Sequence, residues 1–418
     1  MLKGNLWSNG LVFTSVMWLL SRLVITVAML LIAPTLAAPP GGIVPTVGWG
    51  VFSAWDSGFY EKIATSGYDY ANDTNQHSVA FFPLLPLCIH ALIMFGLPVE
   101  VAGTIANNLA FFGALYVLYI WIEKRHGINS ARWATAALAW FPLSLYGTVI
   151  YSEGLYLLFS TAALRAFDLK QYAGVAIWGT LATAARPTGL ALIPAFLIAA
   201  VLDSSKAIAY IASLAAGGGL FLYSLYCKIQ FGDWLAFFHA QHAWRSSVGF
   251  DWWRWWKMLM QITVGSANWK YGSIKDPWHP LLFLLIVGSS YLLWRYRKKL
   301  NSTWVDYGFA VLGLGLWLLA GDPLTDVVMV LGGVYLLWRL RTQLRPIVVT
   351  YGFCALGLLL ASGSTISLNR LAYGIVSLAI ALGVLLARYP RWGYIVMVFF
   401  AIALASFAIR FAQHQWVA

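Results

Sequence analysis

The residues best suited to chemistry begin at Trp55-Asp56, within Phe52-Ser53-Ala54-Trp55-Asp56-Ser57-Gly58-Phe59-Tyr60-Glu61-Lys62-Ile63-Ala64. At helical spacing Asp56, Phe59, Tyr60 and Ile63 share one face, which predicts a short helix with a carboxylate near its start. Two readings of Asp56 follow. A carboxylate facing a substrate serves as a general base, whereas Ser53 with Asp56 also fits a capping box that only stabilises the helix start. Tyr151-Ser152-Glu153 carries a second acid, which either contacts substrate or caps the following helix. Arg186, in Arg186-Pro187-Thr188, and Arg370, in Ser367-Leu368-Asn369-Arg370, stand at helix boundaries where a cation needs an anionic partner. That partner is a phosphate or carboxylate ligand, or a protein acid such as Glu153 or Asp322. His239, Gln241 and His242 lie in a stretch from Phe231 to Trp244. The two histidines are three apart, but a lone pair without a third ligand is weak for zinc, so no metal site is assigned. A divalent ion held by other carboxylates stays open. Phe81-Phe82-Pro83 and the aromatics at Tyr68 and Tyr70 read as interface anchoring, or as a platform holding a lipid-linked substrate against Asp56.

The elements that must position these groups are membrane helices. The 418 residues are 61% hydrophobic and only 10% charged, against about 45–50% and about 25% in soluble domains. Continuous apolar runs recur from Leu11 to the C-terminus, which predicts an all-α, polytopic single membrane domain over 1–418 and no β-barrel. The expected spans are 11–33, 101–121, 132–150, 153–168, 171–186, 187–202, 206–227, 280–294, 304–320, 323–338, 346–361, 371–387 and 393–410, about thirteen in all. Lys3, an apolar run and Leu36-Ala37-Ala38 imitate a signal peptide, but further spans follow, so an uncleaved first helix is expected. Arg22 either lies near the interface or faces the protein interior. The net charge of +12 reads as loop anchoring, with no soluble basic patch for nucleic acid. Cys88, Cys227 and Cys354 show no metal or disulfide spacing.

With the N-terminus in the cytoplasm, the inner loops hold Lys3, Lys124, Arg125, Arg132, Arg165, Lys170, Lys206, Arg295, Arg297, Lys298, Lys299, Arg339, Arg341, Arg345, Arg388 and Arg391, sixteen of the 27 basic residues. The stretch 80–96 fits this pattern only as a re-entrant or interfacial helix, and Pro83 and Pro86 suit an interrupted entry. Two large outer loops result, 34–100 and 228–279. Most acids follow them outward: Asp56, Glu61, Asp69, Asp73, Glu100, Glu153, Asp233, Asp251, Asp276, Asp322 and Asp326. Acids contribute little to topology, so their segregation points independently to a working face directed out of the cytoplasm.

Trp55-Asp56 with Phe59 to Ala64 and Gly67-Tyr68, Ala80-Phe81-Phe82-Pro83, Tyr151-Ser152-Glu153, Ala185-Arg186-Pro187-Thr188-Gly189-Leu190, Phe231 to Trp244 and Arg370 together resemble the PIG-V family, mannosyltransferases of GPI-anchor synthesis, and their prokaryotic relatives. The resemblance spans about 10–390. It implies a GT-C-type fold with short juxtamembrane helices in the first outer loop, a polyprenyl-phosphate-mannose donor, no cofactor, and an acidic base in the position of Asp56. Eukaryotic members carry Arg-Ser-Asn-Gly where this chain has Arg186-Pro187-Thr188-Gly189, which points to a prokaryotic relative with a lipid-linked or glycan acceptor other than the GPI precursor. The expected enzyme inverts the anomeric centre, with Arg186 and Arg370 on the departing phosphate and Trp55, Tyr60, Glu153, His239, Gln241 and His242 near sugar or acceptor. Competing classes are a lipid or glycan flippase, disfavoured by the absence of internal repeats, and a non-catalytic subunit of a glycosylation complex.

Overall fold

The computed structural model describes residues 9–244, 249–363 and 365–417. Lys3 and positions 245–248 of the second large loop lie outside them. The described residues form helices and turns, with no β-strand among them.

Proline and glycine set most boundaries. The first helix, Gly10–Val27, runs on through a π turn and a 3-10 turn and closes at Thr35, just past Pro34. Val99–Trp140 is one long rod broken at Gly127, whose φ of +81° needs a residue without a Cβ. The break falls inside the basic loop expected between the second and third spans. Pro142 then ends the rod and opens a 3-10 turn, Pro142–Gly147. The expected span 132–150 is thus a helix only to Trp140. The stretch 80–96 becomes a turn and an 11-residue helix, Leu84–Met94. At about 1.5 Å per residue this covers roughly half of a hydrocarbon core.

Thirteen full spans are not what the helix lengths give. Among the described residues, five helices are long and apolar enough to cross a bilayer: Gly10–Thr35, Val99–Trp140, Ser302–Ala320, Asp322–Leu340 and Pro390–Ala412. A sixth counts if Ala207–Ala215 and Gly218–Phe231, bent by 41°, form one span. Most other expected ranges are helical but short, as in Tyr172–Ala185, Pro187–Leu202, Pro346–Ala361 and Val376–Arg388. Several pack against other helices. Val376–Arg388 lies so close to Val99–Trp140 that a Cβ on Gly383 would stand 2.4 Å from the Ala134 nitrogen. A helix surrounded by protein need not match the bilayer thickness.

Arg22 faces the interior. Its Nη1 donates to Ser144 O at 2.8 Å and Thr148 Oγ1 at 2.7 Å, and its Nη2 donates to Ser144 Oγ at 2.9 Å and Ala139 O at 3.3 Å. These bonds use carbonyls left over where the long rod ends and fasten the first helix to the 142–147 turn.

Glu153–Asp168 is the central strut, packed against Val99–Trp140 and Tyr172–Ala185. Sixteen residues make it about 24 Å long. Its last residue, Asp168, is buried and accepts from Arg125 Nε at 2.6 Å, Arg345 Nε at 2.8 Å and Trp121 Nε1 at 2.9 Å. Three loops assigned to one side by their basic residues therefore meet on one carboxylate. Its first residue, Glu153, belongs to a different charged cluster at the other end. Asp168→Ala should destabilise the fold by about 1.5–3 kcal/mol, the usual loss for hydrogen bonds to a charged group, measured by denaturant titration of the purified protein. An unchanged midpoint would show that this knot contributes nothing to stability.

Candidate active site

Asp56 stands at the N-cap position of Ser57–Ser66, yet its carboxylate makes no capping hydrogen bond. The capping-box reading thus fails at this helix. Instead Asp56 Oδ2 accepts from Arg370 Nη1 at 2.9 Å, while Oδ1 has no hydrogen bond among the described residues. The preceding residue, Trp55, has φ +58°, a left-handed conformation unusual for a bulky side chain. The turn is held by Tyr151, whose hydroxyl accepts from Asp56 N at 3.2 Å and lies 3.3 Å from Ala54 O, to which it donates. Strain of this kind persists only where surroundings impose it.

Arg370 lies in the short helix Leu368–Tyr373, entered through Ser367 at φ +58°. Asp326 Oδ1 accepts from Asn369 N at 3.0 Å and so fixes this helix start. The Arg370 guanidinium sits 5.2 Å from the Tyr146 ring centre and 5.0 Å from that of Tyr151, in cation–π range. Its Nε is 3.4 Å from Glu153 Oε1. Glu153 is fully buried and also ion-pairs with Arg186. Pro187 disfavours helical geometry at the residue before it, so Arg186 is extended at φ −156° and its side chain turns back towards Glu153. The result is one alternating chain: Asp56, Arg370, Glu153, Arg186.

A cavity of about 360 Å³ opens over this chain. Asp56, Tyr60, Arg186 and Arg370 supply its polar wall, and Phe81, Phe82, Gln241 and His242 also line it. Burial pushes the Tyr60 phenol up to about 12, so at neutral pH it is a hydroxyl, 3.0 Å from Ser152 Oγ. Phe59 stacks on Phe81 at 4.6 Å, as a shared helical face requires. Gln241 lines the cavity but spends its amide on Ala80 O at 3.0 Å. Glu153 is beneath the arginines, His239 is held by Asp233 at 2.7 Å, and Pro83 starts the Leu84–Met94 helix; none of the three lines the cavity. Trp55 does not line the cavity either, but stands edge-on to Trp416, which does, at 5.3 Å.

Sequence reasoning missed Trp416, which lines the cavity from the C-terminal tail, and Thr188, beside Arg186. Trp416 stands in no pattern that marks it, whereas Thr188 lies inside the Arg186-Pro187-Thr188-Gly189 motif but was given no role of its own. Asp326 was legible only as one of the outer acids. Among the described residues, no group of three or more His, Cys, Asp or Glu is placed to hold a metal.

The first large loop is tied to the helix Gly218–Phe231 and to the second large loop beside the cavity. Tyr223 donates to Val79 O at 2.8 Å, and Tyr70 to Asp233 Oδ2 at 2.9 Å. His77 bridges Asp69 at 3.0 Å and Asp73 at 2.8 Å. The bond with Asp69 raises the His77 pKa most; burial opposes this and Asp73 adds to it, so the net value lies above the usual 6.5. Burial works against ionisation of Asp69, but bonds from Ser78, His77 and Lys62 outweigh it and hold that carboxyl well below its usual range.

Residues 11–212 match a family model described as mannosyltransferase (PIG-V). No curated protein is significantly similar to the chain. Among solved structures, it is similar to the apo oligosaccharyltransferase of Archaeoglobus fulgidus, at 13% identity and TM-score 0.49 over 96% of this chain and 56% of that one. The same organism's AglB, in complex with an inhibitory peptide and a dolichol-phosphate, gives 14% and 0.45 over 97% and 56%. ArnT from Cupriavidus metallidurans, bound to undecaprenyl phosphate, gives 12% and 0.37 over 88% and 77%. The chain spans about half the length of the oligosaccharyltransferases it matches.

The His77 bridge generates a pH prediction. A raised folded pKa contributes stability that is complete below the unfolded value and lost as pH rises through the folded value. Hydrogen exchange in 68–81, corrected for intrinsic rates, should therefore increase from mildly acidic to alkaline pH. His77→Gln should flatten that dependence, and a steep dependence retained in the variant would refute the assignment. The chain resembles the PIG-V mannosyltransferases, and the match covers the segment holding Asp56, Glu153 and Arg186, while Arg370 lies beyond it.

Proposed function

We propose that this chain is a membrane glycosyltransferase of the GT-C type that moves a hexose, mannose, from a polyprenyl-phosphate donor to a lipid-linked or glycan acceptor. The observation that carries the reading is Asp56, a carboxylate at a helix start that caps nothing, lines a cavity, and keeps one oxygen free while Arg370 holds the other. The match to the mannosyltransferase family supports the class of reaction. The segregation of acids and bases along the sequence supports a site facing out of the cytoplasm.

The chemistry follows from the donor. A lipid phosphate is already a good leaving group, so no acid is needed at its oxygen. Asp56 Oδ1 takes the proton of the acceptor hydroxyl. The acceptor oxygen bonds to the anomeric carbon as the carbon–oxygen bond to phosphate breaks, and the electron pair leaves with the phosphate. Attack from the opposite face inverts the centre, as in inverting glycosidases. Arg186 and Arg370, both on the cavity wall, stabilise the charge growing on the phosphate. Glu153 keeps the two cations side by side. Tyr60 and His242 contact sugar or acceptor, and Phe81 and Phe82 dock the lipid chain. The apolar remainder of the cavity suits a hydrocarbon ligand better than a free sugar nucleotide.

The test is transfer of label from polyprenyl-phosphate-mannose to membrane acceptors. Asp56→Asn should lower turnover by about 10²–10⁴-fold, the usual weight of a general base, with folded protein retained. Arg186→Ala should weaken donor use more than acceptor use. Near-normal turnover by folded Asp56→Asn would exclude Asp56 as the base.

A further inference from the structure

A second cavity, of about 510 Å³, is lined in part by the segment that leads into Asp56. Ligand sites typically hold roughly 300–1,000 Å³. Its wall includes Trp18, Arg22 and Leu30 of the first helix, Trp49 and Phe52 just before Asp56, and Thr104 of the long rod. It shares no lining residue with the first cavity, so a donor in the first does not fill it.

Arg22 is only 7% exposed. All four of its hydrogen bonds go to neutral groups, and among the described residues it forms no ion pair. Its Nε has no partner, nor do the buried Trp18 Nε1 and Thr104 Oγ1. A buried cation without a counter-ion is costly. Ionisable groups within membrane helices mark ligand or ion sites by default. The neutral acceptors and the Phe111 ring, 4.6 Å from the guanidinium, leave the charge of Arg22 unneutralised. An anionic head beside Arg22, which lines the cavity, supplies the missing counter-charge, and the rest of the wall, with Leu30, Trp49, Phe52 and Ile105, suits a hydrocarbon chain. The lining residues Val47 and Trp49 are 70% and 50% exposed, so the cavity has an open mouth.

We infer that this cavity binds the phosphate and one chain of an anionic phospholipid of the bilayer, with Arg22 as its counter-ion. The occupant braces the catalytic segment from behind. Phe52 is in the cavity wall and its carbonyl accepts from Ile150 N at 3.2 Å. Thr148, which also lines the cavity, precedes by three residues the Tyr151 that holds the Asp56 turn.

The experiment is native mass spectrometry of the purified full-length protein after exchange into phosphatidylglycerol or phosphatidylcholine. It needs no sugar transfer, so its failure is distinguishable from failure of the proposed activity. Wild type should retain one phosphatidylglycerol in preference to phosphatidylcholine. Thr26→Phe, which narrows the cavity without touching the Arg22 hydrogen bonds, should cut that retention by about tenfold, equivalent to about 1.4 kcal/mol. Arg22→Gln, if it folds, should abolish the preference for the anionic lipid. Equal retention of both lipids, or undiminished retention by Thr26→Phe, would overturn the proposal. Displacement of phosphatidylglycerol by polyprenyl phosphate would also overturn it, assigning the cavity to a substrate or product instead.

Discussion

Glu153 sits where four segments converge, and its burial between two arginines is the constraint on which the site depends. A fully buried carboxylate is tolerable only when paired. Arg186 and Arg370 supply the pairing, and Arg370 passes the alternation on to Asp56. The four charges sum to zero, so the cluster survives away from bulk water while still presenting two guanidiniums and one carboxylate to a cavity. Each partner is brought by a separate local device: the strained turn at Trp55, the proline after Arg186, and the left-handed residue before the Arg370 helix. None of these devices would make a site without the buried acid that gathers them.

The Glu153–Asp168 strut extends this logic across the molecule. One helix carries a buried carboxylate at each end, and each gathers a pair of arginines from distant loops. The two knots differ in character. At Asp168 both arginines are partly exposed, which suits a structural clasp. At Glu153 both arginines are nearly buried and line a cavity, which suits a site that meets a ligand. Bonds from Tyr223, Gln241 and Tyr70 then tie the first large loop to the Gly218–Phe231 helix and the second large loop beside that cavity, across segments far apart in sequence.

Much of this was legible in the residues alone. Apolar runs fix where helices lie, because a helix in lipid satisfies its own backbone. Pro142, Pro187 and Gly127 end or break helices for reasons confined to their own backbones, and the charge pattern divided the loops into two groups whose members do meet. Asp56, Tyr60, Phe81, Phe82, Arg186, Arg370, Gln241 and His242 were singled out by sequence and converge on one cavity. Span number was less legible. Hydropathy marks an apolar run but not the length of the helix it forms, so many of the apolar runs read as spans become helices shorter than a bilayer crossing.

What the sequence could not decide was which of two uses each charged residue serves. Asp56 at a helix start satisfies the local rule for capping, and only packing directs its carboxylate to an arginine 314 residues away. Arg22 could have faced the interface or the interior until the 142–147 turn offered it carbonyls. Trp416 became part of the site because the tail folds back against Trp55. The reason is common to all three. Local periodicity and turn chemistry report interactions within a few residues, whereas an ion pair or a cavity wall is set by the packing of helices that the sequence separates by hundreds.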